Sequence, residues 1–160
     1  MRDELLAIIE KNGRIDLKEL AVLLGVQETD VVSELAALES EGVICGYHAM
    51  INWENTDIDK VSALIEVRVT LQRGQGFDSV AQRIEKYPEV QSVYLMSGGY
   101  DLMVILEGKT LREVSSFVSD KLATMEQVLS TATHFILKKY KDHGTMLSRR
   151  KEDEREMITP

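Results

Sequence analysis

The stretch ETDVVSELAALESE, residues 28–41, is rich in hydrogen-bond acceptors and contains no Lys or Arg. Glu28, Asp30, Glu34 and Glu41 can accept from amino groups, and the hydroxyls of Thr29 and Ser33 can donate or accept. Other chemistry-bearing residues are sparse. Cys45 is the single cysteine, which excludes an intramolecular disulfide framework and a multi-cysteine zinc site. His48, His134 and His143 are not spaced with Cys or carboxylates as a metal site requires. His134 alternates with Thr133 and Phe135 in a strand-like run, a structural position rather than a catalytic one. No P-loop, dinucleotide fingerprint or nucleophile elbow is present. The expectation is a protein with no catalytic residue, metal or cofactor.

The elements that would carry residues 28–41 are legible from apolar spacing. Leu5, Ile8 and Ile9 share a face in 2–12, and Gly13 follows where a helix end favours a left-handed residue. Asp16 and Glu19 open a second helix in capping-box style, with Leu17, Leu20, Ala21 and Leu24 inward and Gly25 at its end. A third helix turns Val31, Leu35 and Leu38 inward and stops at Gly42. Two helices joined by so short a glycine turn form the helix-turn-helix pattern, whose second helix is the one that reads DNA.

Downstream the periodicity changes. VICGYHAMINWENTDID begins apolar and extended and ends in turn formers, which places a hinge at 47–60. VSALIEVRVTL alternates, with Val61, Ala63, Ile65, Val67 and Val69 on one side and Leu64 as the exception. Phe77, Val80, Ala81, Ile84 and Tyr87 follow helical spacing up to Pro88. Strands are expected over 90–97 and 100–107 around Gly98-Gly99. A helix capped by Thr110 and Glu113 comes next, with Leu111, Val114, Phe117, Val118 and Leu122 inward, and a closing strand spans 128–139. The order βαββαβ is the ferredoxin-like arrangement, giving an α+β chain: helix-turn-helix at 1–46, hinge at 47–60, sensor module at 61–141, tail at 142–160. Helices on one face of such a sheet leave the other face, with Leu64, Met96 and either Leu102/Val104 or Met103/Ile105, in need of cover.

The 160 residues suffice for two small domains, and 44% apolar with 29% charged residues suits a soluble globular protein. No run approaches the about 18 apolar residues of a spanning helix, and the N-terminus lacks a signal-peptide core, so a cytoplasmic location without membrane contact is expected. Residues 1–60 hold five basic and thirteen acidic side chains, a balance of −8. The whole chain also carries −8, so residues 61–160 balance to zero. That asymmetry fits two modules and works against phosphate binding by the first.

Three pieces give the chain a family likeness: ALESEGVICGYHAMIN, SGGYDLMVILEG and VLSTATHFILKKYK. In this order and spacing, over residues 1–141, the chain resembles the Lrp/AsnC feast-or-famine transcription regulators. The resemblance implies a homodimer through opposed C-terminal sheets, assembling to tetramers or octamers, with a small effector, usually an amino acid, between sensor domains. It implies an effector site at Ser97, Gly98, Gly99, Tyr100 and Asp101 with Thr131 and Thr133. A Gly-Gly turn can offer backbone N–H groups to a carboxylate and Asp101 can meet an ammonium, although the same residues can simply make a hairpin. It also implies DNA contacts from Glu28, Thr29, Asp30, Ser33, Glu34 and Ala37, with Glu41 beside them.

Those contacts raise a conflict of charge. Glu or Asp can accept from cytosine N4, but docking rests on phosphate neutralisation, which this helix does not supply. Weak DNA binding is therefore expected, with Arg2, Lys11, Arg14 and Lys18 left to touch flanking phosphates. Glu34 reads as exposed, so Glu34→Arg should leave the fold alone. Two alternatives share the fold: a sensor or adaptor without DNA binding, and an enzyme resembling sirohaem decarboxylases. The latter would hold substrate carboxylates with Arg68, Arg73 and Lys138.

Overall fold

The computed structural model describes residues 1–70 and 76–147. The chain divides into two compact units, Met1–Ile51 and a second beginning at Asn52.

The first unit is three helices: α1 (Arg2–Lys11), α2 (Leu17–Leu24) and α3 (Glu28–Ser40). Leu5, Leu20, Ala21, Val31 and Leu38 form its buried core, with Leu24, Leu35 and Ile44 packed against them. Asp16 caps α2 by accepting from the backbone N–H groups of Lys18 (2.9 Å) and Glu19 (3.4 Å). Gly25 ends α2 at φ 67°, a left-handed conformation in which a Cβ is strained, and this permits the tight turn into α3. The expected left-handed Gly13 is not found. Asn12 ends α1 at φ −144°, and its side chain accepts from the Arg14 N–H (3.2 Å), so the turn is closed by a side chain instead.

In the second unit, Asn52 caps a short 3-10 turn at Trp53–Asn55, accepting from the Glu54 N–H, and donates to the Leu147 carbonyl (2.9 Å). The sheet strands are β1 (Val61–Val69), β2 (Val90–Leu95), β3 (Leu102–Gly108) and β4 (Val128–Ile136), antiparallel in the order β2-β3-β1-β4. Helices α4 (Phe77–Ile84) and α5 (Leu111–Phe117) fall between them, completing the ferredoxin-like order. Alternation on β1 buries Ala63, Ile65, Val67 and Val69. The register sets them beside Leu106, Val104 and Leu102 of β3, against Val80, Ile84, Val114, Phe117 and Leu122. Leu102 and Val104 are therefore core, and Met103 and Ile105 lie on the opposite face with Leu64. Leu111 is exposed, contrary to the expected stripe. After Phe117 the helix widens to a π-type turn, Val118–Leu122, with the Ala123 N–H on the Val118 carbonyl (2.8 Å). That extra residue lets Phe117, Val118 and Leu122 all face the sheet. A small hairpin, β5 (Lys141–Asp142) and β6 (Thr145–Met146), follows.

Candidate functional site

On α3, Val31 and Leu38 fix the inward direction, and at 100° per residue positions 29, 33, 36 and 40 point the other way. These are Thr29, Ser33, Ala36 and Ser40, all exposed, with exposed Val32 on the flank. The outward stripe is uncharged. The Ser33 hydroxyl donates to the Thr29 carbonyl and the Ser40 hydroxyl to the Ala37 carbonyl, both at 2.9 Å, which leaves oxygen lone pairs to face outward.

The carboxylates lie elsewhere on the helix. Glu34 and Glu41, seven residues apart on one flank, converge on Arg2 of α1. Arg2 Nε reaches Glu34 Oε1 at 2.7 Å and Arg2 Nη2 reaches Glu41 Oε2 at 2.9 Å. The hydrogen bond to Glu41 leads in raising the Arg2 pKa, partial desolvation opposes it, and the charges of Glu41 and Glu34 add to the rise. Asp30 accepts from the Gln27 N–H (3.4 Å) in a capping box. Glu39, a fifth carboxylate that residue spacing alone did not single out, accepts from the Tyr47 hydroxyl (3.0 Å). Burial and then this bond raise the Tyr47 pKa. Glu28 alone among the α3 carboxylates has no such partner within the described residues.

Two expectations on this helix are corrected. The Glu34 side chain is 22% exposed, since its flank faces Arg2 rather than solvent, and Ala37 is half-buried on the same side. Glu34→Arg would set two guanidiniums against each other, so it is not neutral to the fold. Ala36 and Ser40 take outward positions instead, with exposed Val32 on the flank. A helical projection anchored on Val31 and Leu38 finds them from sequence; the Arg2 clamp, which joins residues 32 and 39 positions apart, leaves no such signal.

In the second unit, Ser97, Gly98 and Gly99 form the exposed β2–β3 turn, with Gly98 at φ 135°. That angle lies outside the range L side chains favour. Tyr100 is half-buried and its hydroxyl points at Met103 Sδ (3.8 Å). Asp101 is anchored into the sheet. Its N–H donates to the Val67 carbonyl (3.0 Å), and its Oδ2 accepts from the Val69 N–H (2.8 Å). Val67 pairs on its other side with Thr131, and Ile65 with Thr133. The turn and Thr131 thus flank the same end of β1 within about 10 Å, two strand spacings. Thr133 sits further along β4 and is exposed.

The helix-free face of the sheet is apolar at its centre: Leu64, Met103, Ile105 and Tyr94, with Ile136 at the β4 edge. Glu66 and His134 pair across it at 3.3 Å. Of the cations suggested for carboxylate binding, Arg68 is exposed late in β1 and Lys138 stands over the Tyr140 ring (5.3 Å). Arg73 lies outside the described residues. No group of three or more His, Cys, Asp or Glu able to hold a metal occurs among the described residues, nor a helix long and apolar enough to cross a membrane.

Residues 62–146 match the family model described as the Lrp/AsnC ligand binding domain. The chain is 47% identical to the HTH-type transcriptional regulator YugG of Bacillus subtilis over 158 residues, covering 98% of this chain and 95% of that one. It resembles the solved leucine response regulatory protein LrpA of Mycobacterium tuberculosis at TM-score 0.73 and 27% identity, covering 89% and 94% of the two chains. It shares the fold of the transcriptional regulator NMB0573 of Neisseria meningitidis, solved in complex with L-Met, at TM-score 0.68 and 24% identity over 88% and 90%.

Proposed function

The chain belongs to the Lrp/AsnC family of HTH-type transcriptional regulators, and from that premise we propose that it binds DNA through the uncharged outward stripe of α3. The single observation that carries this reading is the disposal of the α3 carboxylates. Arg2 takes Glu34 and Glu41, the helix N-terminus takes Asp30, and Tyr47 takes Glu39, so that Thr29, Ser33, Ala36 and Ser40 meet the groove. Val32 and Ala36 suit thymine methyl groups, and the hydroxyl lone pairs suit amino groups of adenine or cytosine. Affinity remains modest for one reader, because little phosphate charge is neutralised, and several linked readers raise it.

Assembly proceeds through the helix-free sheet face, whose apolar centre gains by being covered. The effector is a small amino acid at Gly98, Gly99 and Asp101, with Thr131 at the neighbouring strand position. The fold shared with a regulator holding L-Met supports this class of ligand. Asp101 Oδ2 stays on the Val69 N–H, and the carboxylate carries a second oxygen, Oδ1, to meet an ammonium. Such a protein is a cytoplasmic homo-oligomer whose DNA affinity an amino acid tunes.

Gel shift with DNA from upstream of its own gene, at low and moderate salt, with and without L-methionine and L-leucine, tests the reading. Binding at low salt that Val32→Asp abolishes and an amino acid alters is the expected result. Absence of any shift at low salt refutes the DNA part and leaves the sensor without DNA binding.

A further inference from the structure

Among the described residues, the cations that α3 lacks are densest just after β4. Lys138, Lys139 and Lys141 stand within four consecutive positions leading into the β5–β6 hairpin, and Asp142 is the one acidic residue of 137–147. Farther along the sequence, 149–156 holds four basic and four acidic side chains, so it adds no net charge.

The lysines are carried by an ordered frame. His143 and Gly144 sit at φ 43° and 80°, the pair of left-handed residues that a type I′ hairpin turn requires. The turn sets Lys141 opposite Met146 and Asp142 opposite Thr145. At the open end of the hairpin the Leu147 N–H donates to the Tyr140 carbonyl (3.0 Å), and the Leu147 carbonyl accepts from Asn52 Nδ2 (2.9 Å). The one carboxylate is engaged from two sides, by Lys139 Nζ at 3.5 Å and by His143 Nδ1 at 2.9 Å. Lys138 and Lys141 are exposed and carry charge that Asp142 does not offset. Lys138 Nζ lies 5.3 Å from the ring of Tyr140, which is 66% exposed, so a phenol hydroxyl stands among the ammonium groups.

We propose that Lys138 and Lys141, with the Tyr140 hydroxyl, form a second DNA contact that grips backbone phosphates and reads no base. The inference rests on the DNA reading of α3 and supplies what that helix lacks. The outward stripe of α3 offers hydroxyls and methyl groups to base edges, whereas docking needs phosphate charge to be neutralised. A lysine ammonium is a compact point charge, suited to a phosphate and indifferent to sequence.

The test is fluorescence anisotropy of the full chain, over a series of salt concentrations, on duplex from upstream of its own gene and on an unrelated duplex of equal length. Each phosphate contact contributes about 0.9 to the slope of log affinity against log salt, which is about eightfold in affinity at 0.1 M relative to 1 M. Lys138→Gln with Lys141→Gln should lower the slope by about two for each copy in contact, and weaken both duplexes equally, by about sixtyfold or more at 0.1 M salt. Lys138→Arg with Lys141→Arg keeps the charge and should keep both slope and affinity. Lys86→Gln with Lys109→Gln removes equal charge from exposed positions elsewhere in the same unit and should change the slope by well under one. Should the first pair unfold the protein or dissociate it, as circular dichroism and sedimentation velocity would show, Lys141→Gln alone should still lower the slope by about one. An unchanged slope, a loss no larger than that of the distant pair, or a loss confined to the upstream duplex overturns the inference. Binding that Val32→Asp abolishes and Lys138→Gln with Lys141→Gln leaves intact overturns it while keeping the α3 reading; no binding of either duplex at low salt ends both.

Discussion

Replacing Asp101 by Ala removes the acceptor of the Val69 N–H, a bond of 2.8 Å at a residue only 8% exposed. A buried donor left unsatisfied costs about 1–3 kcal/mol, and bonds to charged groups lie in the upper part of that range. With a urea dependence of about 1–3 kcal/mol/M, the midpoint should fall by about 1 M. Trp53 is the only tryptophan and belongs to the second unit, with Lys60 Nζ 4.3 Å from its ring centre, so its fluorescence follows this module's unfolding. Asp101→Asn keeps an oxygen where Oδ2 sits and forfeits only the charge, so it should lose about half as much. The pair of variants separates two jobs of one side chain. If Asp101 both anchors β1 and meets an effector ammonium, Asp101→Asn loses effector affinity while remaining folded. If it only anchors, Asp101→Asn binds the effector like the unmodified protein. An Asp101→Ala midpoint equal to that of the unmodified protein would refute the anchoring argument, since the Val69 N–H must then have another partner.

Arg2→Gln should free Glu34 and Glu41 and lower DNA affinity in fluorescence anisotropy. Adding Glu34→Gln and Glu41→Gln to it should restore affinity, and failure of that rescue would mean Arg2 acts through helix packing alone. Ile105→Asp should dissociate the assembly in sedimentation velocity while leaving far-UV circular dichroism intact; an unchanged sedimentation coefficient would move the interface elsewhere. Ile65→Ala should cost about 2–5 kcal/mol in the second unit, since Ile65 is fully buried between Val104 and Thr133. A loss well under 1 kcal/mol would show that the core closes over the gap.

Much of the architecture is local in origin and so was readable from residue order. Asp16, Gly25 and Thr110 set helix ends through contacts within four residues, and the alternation of Val61 to Val69 assigns one face of β1 without knowledge of any neighbour. The βαββαβ order follows from those periods alone. What decided the character of α3 was long-range. A carboxylate's charge is visible in sequence, but its partner is not: Arg2 lies 32 residues from Glu34, and only the packing of α1 on α3 brings them to 2.7 Å. The same holds for Asp101, whose type suits a ligand and whose bond to Val69, 32 residues earlier, depends on β3 pairing with β1. Which of Met103/Ile105 and Leu102/Val104 faced outward was likewise open, since both sets alternate equally well. The register Val67↔Leu102 settled it, because a strand buries whichever face its partner buries. Composition and period determined the elements; which charges remain unpaired was decided by tertiary contacts, because electrostatic pairing acts through space and not along the chain.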